Sequence, residues 1–345
     1  MPGFAAAAID KHTEFLFSPP AAMVRWCVVA SALLPWGSFA LRHVHDDSKP
    51  SKEDLDAPIG SSYAVKGHRD LVLMHVPYNF GHTIEKVAMM PKDAPVLRIF
   101  EYTMASGGAF HSSKKVSWRH VRKYAKPNAE VWGHFHPDLM ETNNQTRCNN
   151  YFTPQKYWPE ELARTYFGNK TIFGMLRDPA ERLVANFRGN AGGYGGGFSS
   201  TDHNKCDVNH AVKSALKEHI ASGNKFSQEC TFVPQAEYFD GPYGITLPVD
   251  NRRFPDSMNE VFKAHHYDEM FIEQRDILHV NRCNNVWAAD LDAETRALIR
   301  QVYARDYELL CKHFGYCDPD ENTCIRGVHQ MCPSFVMQDQ TATGK

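Results

Sequence analysis

Asp70-Leu-Val-Leu-Met-His-Val-Pro77 is apolar for the length of one strand. It then breaks into Tyr78-Asn-Phe-Gly-His-Thr83, after which Ile84 to Met90 reads as a helix. A second segment repeats the plan: Thr171-Ile-Phe-Gly-Met-Leu176, then Arg177-Asp178-Pro179, then the helix-like Ala180-Glu-Arg-Leu-Val-Ala-Asn-Phe187. Near-continuous apolar runs that pass into helices are what a parallel sheet buried on both faces requires, so the expected fold class is α/β. In both segments polar residues fall at the carboxyl end of the strand, where open α/β sheets place their ligands. The following helix offers an anion its free N–H groups and partial positive charge. The pattern therefore implies two anion sites, one at each strand end.

The rest of the composition narrows the classes. With 345 residues, 43% of them hydrophobic and 23% charged, the chain can bury a full core, which excludes disordered and low-complexity classes. Lys and Arg number 38 against 40 acidic residues, so no global basic field is available to hold a nucleic acid. One apolar window, Trp26 to Leu41, approaches membrane length, which excludes a multi-span protein. It reads as a signal anchor giving one N-terminal membrane span. The alternative is a cleaved signal peptide, because Ser38-Phe39-Ala40 has the form of a cleavage site.

The expected organisation is a cytosolic tail over 1–25, the anchor or signal over 26–41 and a polar stem over 42–67. A domain over 68–316 and a cysteine-containing tail over 317–345 follow. Nine cysteines are present, and eight of them lie beyond the apolar window. An even count behind an export signal points to disulfides. The last four, Cys311, Cys317, Cys324 and Cys332, are spaced too widely for a zinc site and read as staples of the tail. Cys148, close to Asn144, is expected in an exposed loop. The sequons at Asn144 and Asn169 agree with a lumenal or secreted location.

A third segment, Glu130-Val-Trp-Gly-His-Phe-His-Pro137, places His134 and His136 after a short strand-like run. Ala293 to Phe314 has apolar residues at helical spacing, with Asp292 as its N-cap. The glycine-rich stretch 189–197 lacks the Walker pattern and reads as a lid or insertion. His265-His266 and His43-x-His45 have no further ligands at useful spacing, so no metal is expected.

These motifs resemble the membrane-associated sulfotransferases of the Golgi, which transfer sulfuryl from 3′-phosphoadenosine 5′-phosphosulfate (PAPS). The family's P-K-T-G-G-T-S loop, which cradles the 5′-phosphosulfate, is matched by Pro77-Tyr78-Asn79-Phe80-Gly81-His82-Thr83. Its R-D-P-x-x-R element, which binds the 3′-phosphate, is matched by Arg177-Asp178-Pro179-Ala180-Glu181-Arg182. Gly133-His134 is similar to the pair whose His serves as base in the uronosyl 2-O-sulfotransferases, and Tyr303 to Tyr316 looks like the family's last helix. The resemblance covers roughly residues 70 to 316. It implies a three-layer α/β/α, P-loop NTPase-like sulfotransferase fold and sulfuryl transfer to a glycan hydroxyl, without a metal, by a single-pass type II Golgi protein.

In this scheme residues 78 to 83 bind the phosphosulfate, Arg177 and Asn186 the 3′-phosphate, and His134 takes the acceptor's proton. Two positions depart from the family: the loop lysine is Tyr78, and the serine after the R-D-P element is Ala185. A phenol does not replace an ammonium group. His82 and the pair Lys114 and Lys115 are the candidates for the missing charge. The departures leave open a degenerate member that binds glycan or protein without turnover. The rival enzyme class, a lumenal glycosyltransferase, needs a metal-binding D-x-D at a strand end. Asp290-Leu-Asp292 reads instead as a helix cap, and Asp318-Pro-Asp320 lies in the tail.

Overall fold

The computed structural model describes residues 69–94, 117–191, 198, 200–278 and 283–318. The chain divides into two units, Met1–Lys49 and Pro50–Lys345, and every described residue belongs to the second. The apolar window, the stem, Lys114, Lys115, Cys324, Cys332 and most of the glycine-rich stretch lie outside the described residues. No helix among the described residues is long and apolar enough to cross a membrane.

Three parallel strands form the sheet, in the order β1 (Leu71–Leu73), β2 (Thr171–Leu176), β3 (Leu247–Asp250). Leu71 pairs with Thr171 and Leu73 with Phe173, while Phe173 pairs with Leu247 and Leu176 with Asp250. Ile172 to Leu176 are all buried, so both faces of β2 are covered, as the unbroken apolar run requires. The fold is thus mixed α and β around a small parallel sheet. Because the strands run the same way, the loop after β1, the Arg177-Asp178 turn after β2 and Asn251-Arg252 after β3 share one edge.

The loop after β1 enters α1 (Gly81–Met89) through Phe80, which adopts the left-handed conformation at φ 62°. The turn after β2 enters α4 (Pro179–Ala191), and the side chain of Asp178 accepts the Glu181 N–H at 3.0 Å, which caps that helix. Between them come the short α2 (Trp118–Tyr124) and α3 (Glu160–Phe167). The main core joins β1 and β2 residues to Ile84 and Ala88 of α1, Phe167 of α3 and Phe262 of α7 (Asp256–Ala264). A second apolar cluster joins Leu183 and Phe187 of α4, Val212 and Leu216 of α6 (Val208–Ser222) and Ile299 of α8 (Ala293–Val302). The six-residue α5 (Ser200–Lys205) precedes α6.

Several expectations change. The run before His134 joins no strand; Gly133–Phe135 is a 3-10 turn, held by the Phe135 N–H bonded to the Trp132 carbonyl. The segment 293–314 is two helices, α8 and α9 (Ala304–Phe314), broken at Tyr303. The buried Tyr303 phenol donates to the Phe232 carbonyl at 3.0 Å, so a tertiary contact fixes the break. Asp292 does cap α8, accepting the Thr295 N–H at 2.7 Å. Disulfides join Cys148 to Cys230, Cys206 to Cys283 and Cys311 to Cys317. Cys148 is buried rather than in an exposed loop, because its disulfide draws it into the main core. Asn144 and Asn169 are exposed. The disulfides suggest an oxidising, lumenal or secreted setting.

Candidate functional site

At the carboxyl edge of the sheet the two strand-end motifs are tied together. Arg177, nearly fully buried, donates through Nη1 to the carbonyl of Tyr78 at 2.9 Å. Its guanidinium also lies over the Phe80 ring, 5.3 Å from the centroid, and Nε approaches Glu181 Oε2 at 3.5 Å. Phe80 in turn stacks on Phe254 at 4.4 Å. Asn79 clamps the loop to β2, its Nδ2 donating to the Met175 carbonyl at 2.8 Å and to Gln235 Oε1 at 2.6 Å. Of the loop N–H groups, that of Thr83 is already taken by the Phe80 carbonyl, and the Thr83 hydroxyl accepts the Leu278 N–H.

Cations gather beside this tie. Arg188 is buried, and burial first, then the neighbouring charge of Arg177, pushes its guanidinium down to about 10. It keeps its charge at neutral pH. It lies one helical turn beyond Ala185, where the family has its serine, and its guanidinium sits over the Trp287 ring. Asn186 is 1% exposed, yet neither its Nδ2 nor its Oδ1 has a hydrogen-bond partner. Such an amide costs free energy unless a ligand or water meets it. Arg182 donates through Nη2 to the Val233 carbonyl, and its Nε and Nη1 have no hydrogen-bond partner.

Burial, then the charge of Glu229, pushes the Tyr78 phenol up, while Arg182 pulls it the other way. Tyr78 therefore remains an uncharged phenol within the field of Arg182.

A second cluster lies just after β1 and on the first two turns of α1. His75 Nδ1–H donates to Glu85 Oε1 at 2.5 Å. The rings of His75 and His82 are 5.0 Å apart, those of His82 and His134 5.4 Å, and those of His134 and Tyr151 5.6 Å. Burial pushes His134 down from its ordinary value, partly offset by Glu85. The same cause pushes His82 down to about 3, which favours its neutral ring. Lys114 and Lys115 lie outside the described residues; among the described residues, Arg182 is a cation whose field reaches Tyr78.

The structure sets the loop 78 to 83 against Arg177, through the Tyr78 carbonyl and the Phe80 ring, and against His134, through the His82 ring, while Asn186 is buried on α4. Four residues were missed. Arg188 could have been found by counting one turn on from Ala185, and Arg182 by asking what its motif position faces. Glu85, three residues after His82, shares its helix face. Gln235 carries no sequence signal, since it lies far along the chain in an irregular segment. No family model matches the chain, and no curated protein or solved structure matches it.

Proposed function

We propose that the chain transfers a sulfuryl group from PAPS to a hydroxyl of a carbohydrate or glycan acceptor. In this reading the parallel sheet is the centre of a three-layer α/β/α, P-loop NTPase-like sulfotransferase fold. One observation carries it: Arg177 at the end of β2 bonds the Tyr78 carbonyl of the loop after β1, and the helix that follows β2 carries the buried Arg188 and the buried, unpartnered Asn186. Two anion-binding elements at one sheet edge suit a donor with phosphate at both ends of its nucleoside.

The donor supplies an activated sulfuryl group, and the chain's own residues supply position and charge. Arg177 and Arg188 hold the 3′-phosphate as forked, charge-assisted donors, and Asn186 meets it with its amide. Arg182 provides the positive field near position 78. His134, a neutral imidazole beside the loop, accepts the proton of the acceptor hydroxyl. The disulfides and the exposed sequon asparagines support a lumenal setting, either as a single-pass type II Golgi membrane protein or as a secreted one.

A second reading, a degenerate member that binds the donor without turnover, is favoured by the uncharged phenol of Tyr78. Calorimetry with adenosine 3′,5′-bisphosphate and with 5′-ADP tests the site common to both. Binding that requires the 3′-phosphate supports it, whereas equal affinity for the two nucleotides, or none for either, rejects it.

A further inference from the structure

His75, just beyond β1, and His82 and Glu85 on α1 each offer one metal-ligating atom, and these atoms all lie within 4.8 Å of one another. The backbone is cut away to admit two of the three. A Cβ on Gly81 would fall 2.5 Å from His75 Nδ1, and one on Gly133 would fall 1.9 Å from Glu85 Oε1. Glu85 is fully buried, and its Oε2 has no hydrogen-bond partner. A carboxylate oxygen taken out of water without a partner is costly, and a cation would satisfy it. His82 is only half-buried, the most exposed of the three.

We propose that His75, His82 and Glu85 bind one divalent transition-metal ion of the zinc class. Two imidazoles and a carboxylate suit zinc, and cobalt as its substitute, over magnesium or calcium, which prefer all-oxygen sets. Zinc sites with three protein ligands leave a fourth position to water. Tetrahedral ligands of zinc stand about 3.4 Å apart. The three ligating atoms, within 4.8 Å of one another, would draw closer around the ion. The rings of His134 and Tyr151 flank the position, 5.4 Å and 6.4 Å from that of His82. This site does not depend on sulfuryl transfer, and metal binding and donor binding are read separately.

The test is made on the full chain from a secretory host, stripped with chelator and titrated with zinc and with cobalt(II). We expect one equivalent bound, visible ligand-field bands of a low-coordinate cobalt site, and affinity reduced in His82→Ala and in Glu85→Gln by more than the roughly 10–100-fold that loss of an outer-shell partner costs. His265→Ala/His266→Ala, which alters a histidine pair outside the cluster, should bind as wild type does. His82→Ala changes the most exposed ligand, so it keeps the test decisive if Glu85→Gln fails to fold. Absence of binding to the native chain, or binding undiminished in folded His82→Ala, overturns the assignment.

Discussion

Gln235 and Arg177 form a closed two-point pair: the Arg177 N–H donates to Gln235 Oε1 at 3.0 Å, and Gln235 Nε2 donates to the Arg177 carbonyl at 2.7 Å. The same amide accepts from Asn79, and the buried Asp306 of α9 accepts the Gln235 and Ala236 N–H groups at 2.9 Å each. The last helix thereby holds both strand-end motifs in place. Gln235→Leu leaves the Arg177 backbone N–H and carbonyl unmet, at about 1–3 kcal/mol for each buried group, and removes one of the two bonds of the Asn79 amide. A lower urea midpoint with an unchanged m-value is expected, and wild-type stability would contradict this role.

Arg188→Ala removes a buried cation whose guanidinium lies over the Trp287 ring. Affinity for adenosine 3′,5′-bisphosphate should fall about 10–100-fold, the size of a lost charge-assisted contact. Arg305→Ala, whose exposed guanidinium pairs with Asp240 at 2.9 Å, should leave affinity unchanged. Calorimetry on the two variants checks both statements. Equal affinity in both would remove Arg188 from the site.

Gly133 does more than precede His134. Its φ is 51°, and an added Cβ would overlap Glu85. Gly133→Ala should cost about 1–2 kcal/mol from the backbone conformation alone, with displacement of Glu85 in addition. Thermal melting measures the loss. A Tm equal to wild type would show that the turn can relax around a side chain.

The two strand-turn-helix segments were legible because a strand buried on both faces leaves an unbroken apolar run, as at Thr171 to Leu176. The third strand was not, since Leu247-Pro-Val-Asp is short and its Pro248 argues against a sheet interior. The run before Gly133 looked like a strand for its Val and Trp, but Trp132 packs edge-on to Phe173 instead of extending the sheet. In the candidate site, motif spacing singled out Arg177 and His134. The field of Arg182 at Tyr78 and the role of Gln235 depend on segments brought together only by folding.

Asp292 gives a pH dependence of stability. Its bond from the Thr295 N–H, then that from Lys213, lowers its carboxyl from 3.8 to about 2. A carboxylate depressed in the folded state stabilises above its unfolded pKa, and that contribution is lost as pH falls from about 4 towards 2. Wild type and Asp292→Ala should therefore differ in Tm at pH 7 and converge near pH 2. A gap that persists at pH 2 would contradict the capping carboxylate as its source.

Sulfuryl transfer is tested by incubating the full chain with sulfur-labelled PAPS and a panel of desulfated glycans and counting label in the glycan fraction. Time-dependent labelling of a glycan is expected, abolished in Arg177→Ala and in His134→Ala. No label in any glycan, from a folded chain that binds adenosine 3′,5′-bisphosphate no better than 5′-ADP, would contradict it.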